Sequence, residues 1–105
     1  MTIPYSTKIP KEVPPVKAKG AFFVLNDRGL HTRPSIAIVK CAAGFKADIS
    51  LKYKKTEVNA RSILGILMLA AEKGAKIGVI ATGEDASLAV QSLQELAGRS
   101  FDIHY

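Results

Sequence analysis

Several common ingredients of protein chemistry are missing from these 105 residues. There is no tryptophan, and the single cysteine, Cys41, cannot form an internal disulfide. The only histidines are His31 and His104, too far apart and too short of cysteine partners to give the paired ligand spacing of a structural zinc site. Neither a metal nor a cofactor is expected. The longest apolar stretch, within residues 62–71, is about half of the roughly 20 residues that a membrane span requires, so membrane insertion is not expected. The opening segment has no apolar run leading to a small-residue cleavage site, and the expected location is cytoplasmic. A chain of 105 residues holds one core, with no room for a cofactor domain beside a substrate domain.

Positive charge is present in excess, with a formal net charge of +6 and an isoelectric point near 9.6. Its distribution matters more than its size. Lys8, Lys11, Lys17 and Lys19 stand against Glu12 in the first 19 residues, together with four of the five prolines. Prolines at that density disfavour both helix and strand ladder. Residues 1–19 are therefore expected to form a Pro/Lys-rich arm and residues 20–105 the folded domain. A small basic nucleic-acid-binding domain, using the arm with Lys52, Lys54 and Lys55, is the alternative of another functional class. The domain carries only half of the excess charge and lacks an aromatic strand pattern, so no nucleic-acid partner is expected.

Hydrophobic periodicity gives the element order. Residues 21–25, Ala-Phe-Phe-Val-Leu, lie between Gly20 and the turn cluster Asn26-Asp27-Arg28-Gly29 and predict a buried strand. A helix follows over residues 35–43, with Pro34 in its first turn, Gly44 behind it and His31 at or beside its N-cap. Residues 47–53 alternate apolar and polar, Lys54-Lys55 turns, and residues 56–59 return as a second strand of a hairpin. A second helix is predicted over residues 62–73, with Ser62 as N-cap and Gly74 as stop. Residues 76–82 read as the fourth strand. Apolar residues at 86, 89, 90, 93, 96 and 97 predict a final amphipathic helix. The expected fold is α+β, in the order βαββαβα, with three helices on one face of a four-stranded sheet.

The chemistry concentrates in Gly29-Leu30-His31-Thr32-Arg33-Pro34. A helix N-terminus favours an anion attached to the imidazole, because backbone N–H groups and the helix dipole point toward it. Arg33 adds a guanidinium fork that matches phosphate oxygens. Gly29 permits a tight loop before the helix, and Pro34 stiffens the first turn. A second feature is the apolar run after Ser62. A small domain cannot bury every side of such a helix, so part of it is expected to be an exposed docking surface.

The His31 segment resembles the active-site segment of the histidine phosphocarrier protein (HPr) family of the phosphoenolpyruvate-dependent sugar phosphotransferase system. Asn59-Ala60-Arg61-Ser62-Ile63-Leu64-Gly65-Ile66 with Lys73-Gly74-Ala75 resembles the family's regulatory-serine helix. Gly83-Glu84-Asp85-Ala86 is similar to the start of its last helix. The resemblance implies an open-faced β-sandwich with an antiparallel sheet. It also implies a carrier, not a complete enzyme, in which enzyme I phosphorylates Nδ1 of His31 and a sugar-specific IIA component receives the group. Arg33 would stabilise the phosphate, and Gly29 and Pro34 would support the site. Ile36, Lys40, Ile63, Leu64 and Leu67 are expected on the face shared by enzyme I and IIA proteins, with the chain acting as a monomer. Ser62 becomes a candidate for an HPr kinase/phosphorylase. An HPr-like regulatory protein acting mainly through Ser62 is the alternative within the same fold.

Overall fold

The structure is a computed structural model that describes residues 16–103. Residues 1–15 of the expected arm, and His104, lie outside the described residues. Strand β1 (Lys17–Phe23) is followed by helix α1 (Thr32–Ala43), strands β2 (Asp48–Tyr53) and β3 (Thr56–Asn59), helix α2 (Ile63–Met68), strand β4 (Lys76–Thr82) and helix α3 (Ala86–Gly98). A short 3-10 turn, Ser100–Asp102, completes the order. The four strands form one antiparallel sheet in the order β1-β4-β2-β3. The helices cover one face of it, as the sequence predicts.

Strand alternation builds the core. Ile77, Val79 and Ala81 of β4 point inward beside Ile49 and Leu51 of β2, and meet Ile38 and Ala42 of α1, Ile66 of α2 and Leu93 of α3. Each large aliphatic side chain buried this way is worth about 1.5–3 kcal/mol. Helix α3 crosses close to β1. A Cβ on Gly20 would come within 2.6 Å of Val90 Cγ1. Beside it, Gln94 Nε2 donates to the Ala21 carbonyl at 3.0 Å, occupying an acceptor on an edge strand.

Two elements differ in their bounds from the sequence expectation. Strand β1 begins at Lys17, inside the segment assigned to the arm, and ends at Phe23. Lys17 pairs with Thr82 and Gly20 with Val79, while the Gly83 N–H donates to the Val16 carbonyl at 2.8 Å. Density of proline ends at Pro15, and Lys17 and Lys19 keep strand alternation by facing solvent. Helix α2 stops at Met68, not near Lys73. Ala70 takes a left-handed φ of 51°, which returns Leu69 and Ala71 to the core. The freed Ala71 carbonyl accepts the Leu30 N–H at 3.0 Å.

The C-terminal segment closes the helical layer. Phe101 is buried and meets Phe22 edge-on, with ring centroids 5.8 Å apart. The buried Asn26 amide donates to the carbonyls of Ser100 and Ile103 at 3.0 and 2.8 Å.

Asp85, the residue before α3, does not cap its own helix with its side chain. Its carboxylate instead accepts the N–H groups of Lys46 and Ala47 at 2.9 and 2.8 Å, fixing the approach to β2. The Lys46 N–H, assisted by that of Ala47, holds the carboxyl below its ordinary range. A depressed folded pKa contributes stability that is present above the unfolded value and is lost as pH falls through the folded one. Asp85→Asn is therefore expected to melt several degrees below wild type at neutral pH. The gap should narrow as pH falls below the ordinary carboxylate range and close only once it passes below the depressed folded pKa, where the folded wild-type carboxyl protonates. Thermal denaturation of both proteins across pH 2 to 7 measures this, and a gap independent of pH would contradict the assignment.

Candidate functional site

His31 is the N-cap of α1, with extended backbone (φ −78°, ψ −168°) and a half-buried side chain. Its imidazole does not cap the helix. The four residues whose N–H groups a helix leaves without an internal acceptor are His31, Thr32, Arg33 and Pro34, and proline has no N–H to satisfy. The α1 N-terminus is thus built with a rigid third position and its positive end toward His31.

The support beneath His31 comes from three directions. Ser35, fully buried, donates its hydroxyl to the His31 carbonyl at 2.8 Å, with the Leu30 carbonyl at 3.2 Å as a second acceptor. The Ser35 N–H donates to that same His31 carbonyl at 3.1 Å. On the other side, Gly29 has φ 69° and sits directly on the Ala71 carbonyl and Glu72 Cα, where a Cβ would overlap both. Below it, Val24 exchanges bonds with residues 74 and 75, its N–H donating to the Ala75 carbonyl at 2.9 Å and its carbonyl accepting the Gly74 N–H at 2.7 Å. Asp27 and Lys73 add an exposed ion pair at 2.9 Å between the same two segments.

Arg33 is exposed two residues after His31. With Ile36, Ala37, Lys40 and Ile103 it lines an open depression of about 240 Å³ on the outer side of α1. Ile36 and Lys40, expected on the partner face, therefore meet here with Arg33, expected at the phosphate. Helix α2 packs beside α1. It leaves Ile63 and Leu64 exposed, whereas Leu67 is half-buried. Met68, 69% exposed, belongs with this apolar surface and was not expected there. Its position follows from the early end of α2, which the sequence pattern conceals.

Ser62 caps α2 as predicted, its hydroxyl oxygen accepting the Gly65 N–H at 3.0 Å. Arg61 points elsewhere. Its guanidinium donates to the carbonyls of Phe45 and Ala47, tying the segment before α2 to the loop after α1. Ser35, Asn26 and the Ala71 carbonyl are the contributors to the site that sequence patterns missed. Ser35 and Asn26 sit in recognisable helix-start and turn segments, but their partners are distant or backbone atoms. A carbonyl leaves no signal in sequence at all.

Comparison with known proteins gives this arrangement its context. The family model described as "PTS HPr component phosphorylation site" matches residues 18–98. The chain belongs to the HPr family. Its similarity to solved HPr structures runs over most of the chain. An HPr from Thermoanaerobacter tengcongensis (HPr-C-His) is 30% identical with a TM-score of 0.79, covering 84% of this chain and 99% of that one. The phosphocarrier protein HPr of Bacillus anthracis strain Ames is 34% identical with a TM-score of 0.72, covering 76% and 95%. The catabolite-repression protein Crh of Bacillus subtilis, described as a domain-swapped dimer, is also 34% identical, with a TM-score of 0.64 over 70% of this chain and 84% of that one. The chain is an HPr-type phosphocarrier of the phosphotransferase system, and its sheet and three helices are the HPr fold. Among the described residues, no helix is long and apolar enough to cross a membrane.

The Gly29 contact tests the construction of the site. Gly29→Ala places a side chain in a left-handed conformation that costs about 1–2 kcal/mol by itself, before the overlap with Ala71 is relieved. The variant is expected to be destabilised by at least that amount and to shift the NMR amide signals of Leu30 and His31. Unchanged stability with unchanged signals would show that the loop does not depend on this approach.

Proposed function

We propose that His31 is the phosphoryl acceptor, receiving the group from phospho-enzyme I and passing it to sugar-specific IIA components. The observation that carries the proposal is the placement of His31 as N-cap of α1, half-exposed, above a backbone held by Ser35, Gly29 and Ala71. In the step, the Nδ1 lone pair attacks phosphorus while the P–N bond of the donor histidine breaks, and the reverse exchange delivers the group onward. Donor and acceptor must both reach one nitrogen in line, which an imidazole at a surface helix start allows. The α1 N–H groups and exposed Arg33 stabilise the phosphoryl oxygens without enclosing them. That moderate hold suits a carrier, since a deep phosphate site would retain its cargo.

The shared docking face for enzyme I and IIA proteins consists of Ile36 and Lys40 on α1 with Ile63, Leu64 and Leu67 on α2, joined by Met68. Exposed apolar residues at its centre and Arg33 and Lys40 at its rim fit the usual division of an interface into apolar core and charged edge. We propose that the chain presents this face as a monomer in the cytoplasm. Light scattering during turnover tests the oligomeric part; a stable dimer would refute it.

Incubation with enzyme I and labelled phosphoenolpyruvate tests the acceptor. Wild type is expected to take up acid-labile, base-stable label and His31→Ala none; full labelling of that variant would refute the assignment. Arg33→Ala is expected to slow transfer about tenfold, the equivalent of one charge-assisted hydrogen bond of roughly 1.5 kcal/mol.

Ser62 is proposed as the regulatory phosphorylation site for an HPr kinase/phosphorylase. Its place at the start of α2, beside exposed Ile63 and Leu64, supports this. A phosphate oxygen there can accept the Gly65 N–H that the hydroxyl now holds, so modification would charge the docking face while keeping the cap. Incubation with an HPr kinase and ATP is expected to label wild type and spare Ser62→Ala, which should also lose about 0.5–2 kcal/mol of stability with its cap. Equal labelling of both would sink the proposal.

A further inference from the structure

The face of the sheet away from the helices has no covering layer among the described residues, and its composition is uneven. Strand register fixes which residues share it. Lys19 lies beside Ile80, and Ile80 beside Ser50; in the next row Ala21 lies beside Gly78, and Gly78 beside Lys52. Lys17 opens the face at one end beside Thr82, and Lys76 closes the other beside Phe23. Four lysines, all exposed, thus frame a shallow strip of Ala21, Gly78 and Ile80. Gly78 contributes most to its depth, because a Cβ there would meet nothing closer than 3.6 Å. Among the described residues, opposing charge on this face comes from Asp48 and Glu57 on the β2–β3 side, Glu57 lying across from Lys52. The ion pairs Lys73–Asp27 and Arg99–Asp102 lie away from this face.

Lysines on an edge strand commonly prevent sheet-to-sheet association. That accounts for Lys17 and Lys19 on β1. It does not account for Lys52 on β2 and Lys76 on β4, in the interior of the sheet; Glu57 lies across from Lys52, whereas Lys76 lies across from Phe23. We infer that the open face is a second docking surface, whose occupant is an extended acidic segment of a partner protein. Alternate residues of an extended chain repeat every ~6.8 Å, the same spacing that separates Lys17 from Lys19 on β1. Such a segment lays its backbone over the shallow strip of Ala21, Gly78 and Ile80 and turns its alternate carboxylates toward the lysines, while the residues between them point away from the sheet. Single-stranded nucleic acid fits less well. Its bases need aromatic platforms across the face, and among the described residues the only aromatic ring there is Phe23 at one end, 56% exposed.

This face lies opposite the helix layer that carries His31. A partner could therefore hold the carrier by its sheet while the His31 side stays open to exchange.

The test is an NMR titration of the full chain at low salt with a peptide of about twelve residues alternating Glu and Ala, long enough to cross the sheet. Expected are shifts concentrated at Lys19, Ala21, Lys52, Gly78 and Ile80, weakened by added salt. Lys19→Glu/Lys76→Glu, at positions that lie across from Ile80 and Phe23, should weaken binding about tenfold or more. It should melt near wild type and accept phosphoryl groups at the wild-type rate. Arg33→Glu/Lys40→Glu, on the helix layer, should leave the peptide affinity within about twofold. Shifts centred on α1, or affinity lost in the second variant and kept in the first, would overturn the inference. Tighter binding of oligo(dT) on the same face would overturn it in favour of nucleic acid.

Discussion

The hydrogen bond from the Leu30 amide to the Ala71 carbonyl is the constraint around which the functional half of the molecule is organised. To present that carbonyl, the chain must leave helical geometry at Ala70, which ends α2 at Met68. To reach it, the loop before α1 must come so close that only glycine fits at position 29. The bonds of Val24 with Gly74 and Ala75 continue the same junction into the sheet. Two segments separated by more than forty residues in sequence are thereby one rigid unit, and His31 stands at its upper end.

As the proposed carrier histidine, His31 faces opposing demands. It must be exposed enough for two different proteins to reach it, yet fixed enough that each finds the nitrogen where it needs it. The structure separates these demands between side chain and backbone. The imidazole is half-exposed, while its carbonyl is held by both the hydroxyl and the N–H of buried Ser35. Rigidity supplied from below leaves the outer surface free of large walls. The depression bounded by Arg33, Ile36 and Lys40 is open and shallow, suited to a partner's surface more than to a small molecule.

What the sequence made legible follows from where the deciding interaction lies. The caps His31 and Ser62, strand β4 and the apolar face of α3 depend on nearby residues or on simple periodicity, and the structure places them as the pattern predicts. The start of β1 was hidden because proline and lysine dominate the segment before it, whereas the strand is secured by pairing with β4. The end of α2 was hidden for a related reason. Residues 69–73, Leu-Ala-Ala-Glu-Lys, have good helix propensity, and a distant amide outweighs it. Ser35 and Asn26 looked like ordinary helix-start and turn residues because hydrogen bonds to carbonyls carry no sequence signature.

The position of Arg61 bears on how charge at Ser62 would act. A guanidinium next to a phosphorylated serine is an obvious partner, and it would be expected to fold over the phosphate and mute its charge. Here that guanidinium is already committed to the Phe45 and Ala47 carbonyls, and withdrawing it would leave both acceptors to find other donors. The phosphate would therefore keep its charge facing outward, over Ile63, Leu64 and Met68. A doubly charged group at the edge of an apolar docking surface must be desolvated for a partner to bind, unless that partner brings its own cation. The same modification would then repel partners that meet this surface with apolar or acidic groups and favour one that meets it with arginine or lysine. Selection between partners would need no change in the fold, because the structure has already given the neighbouring cation another task.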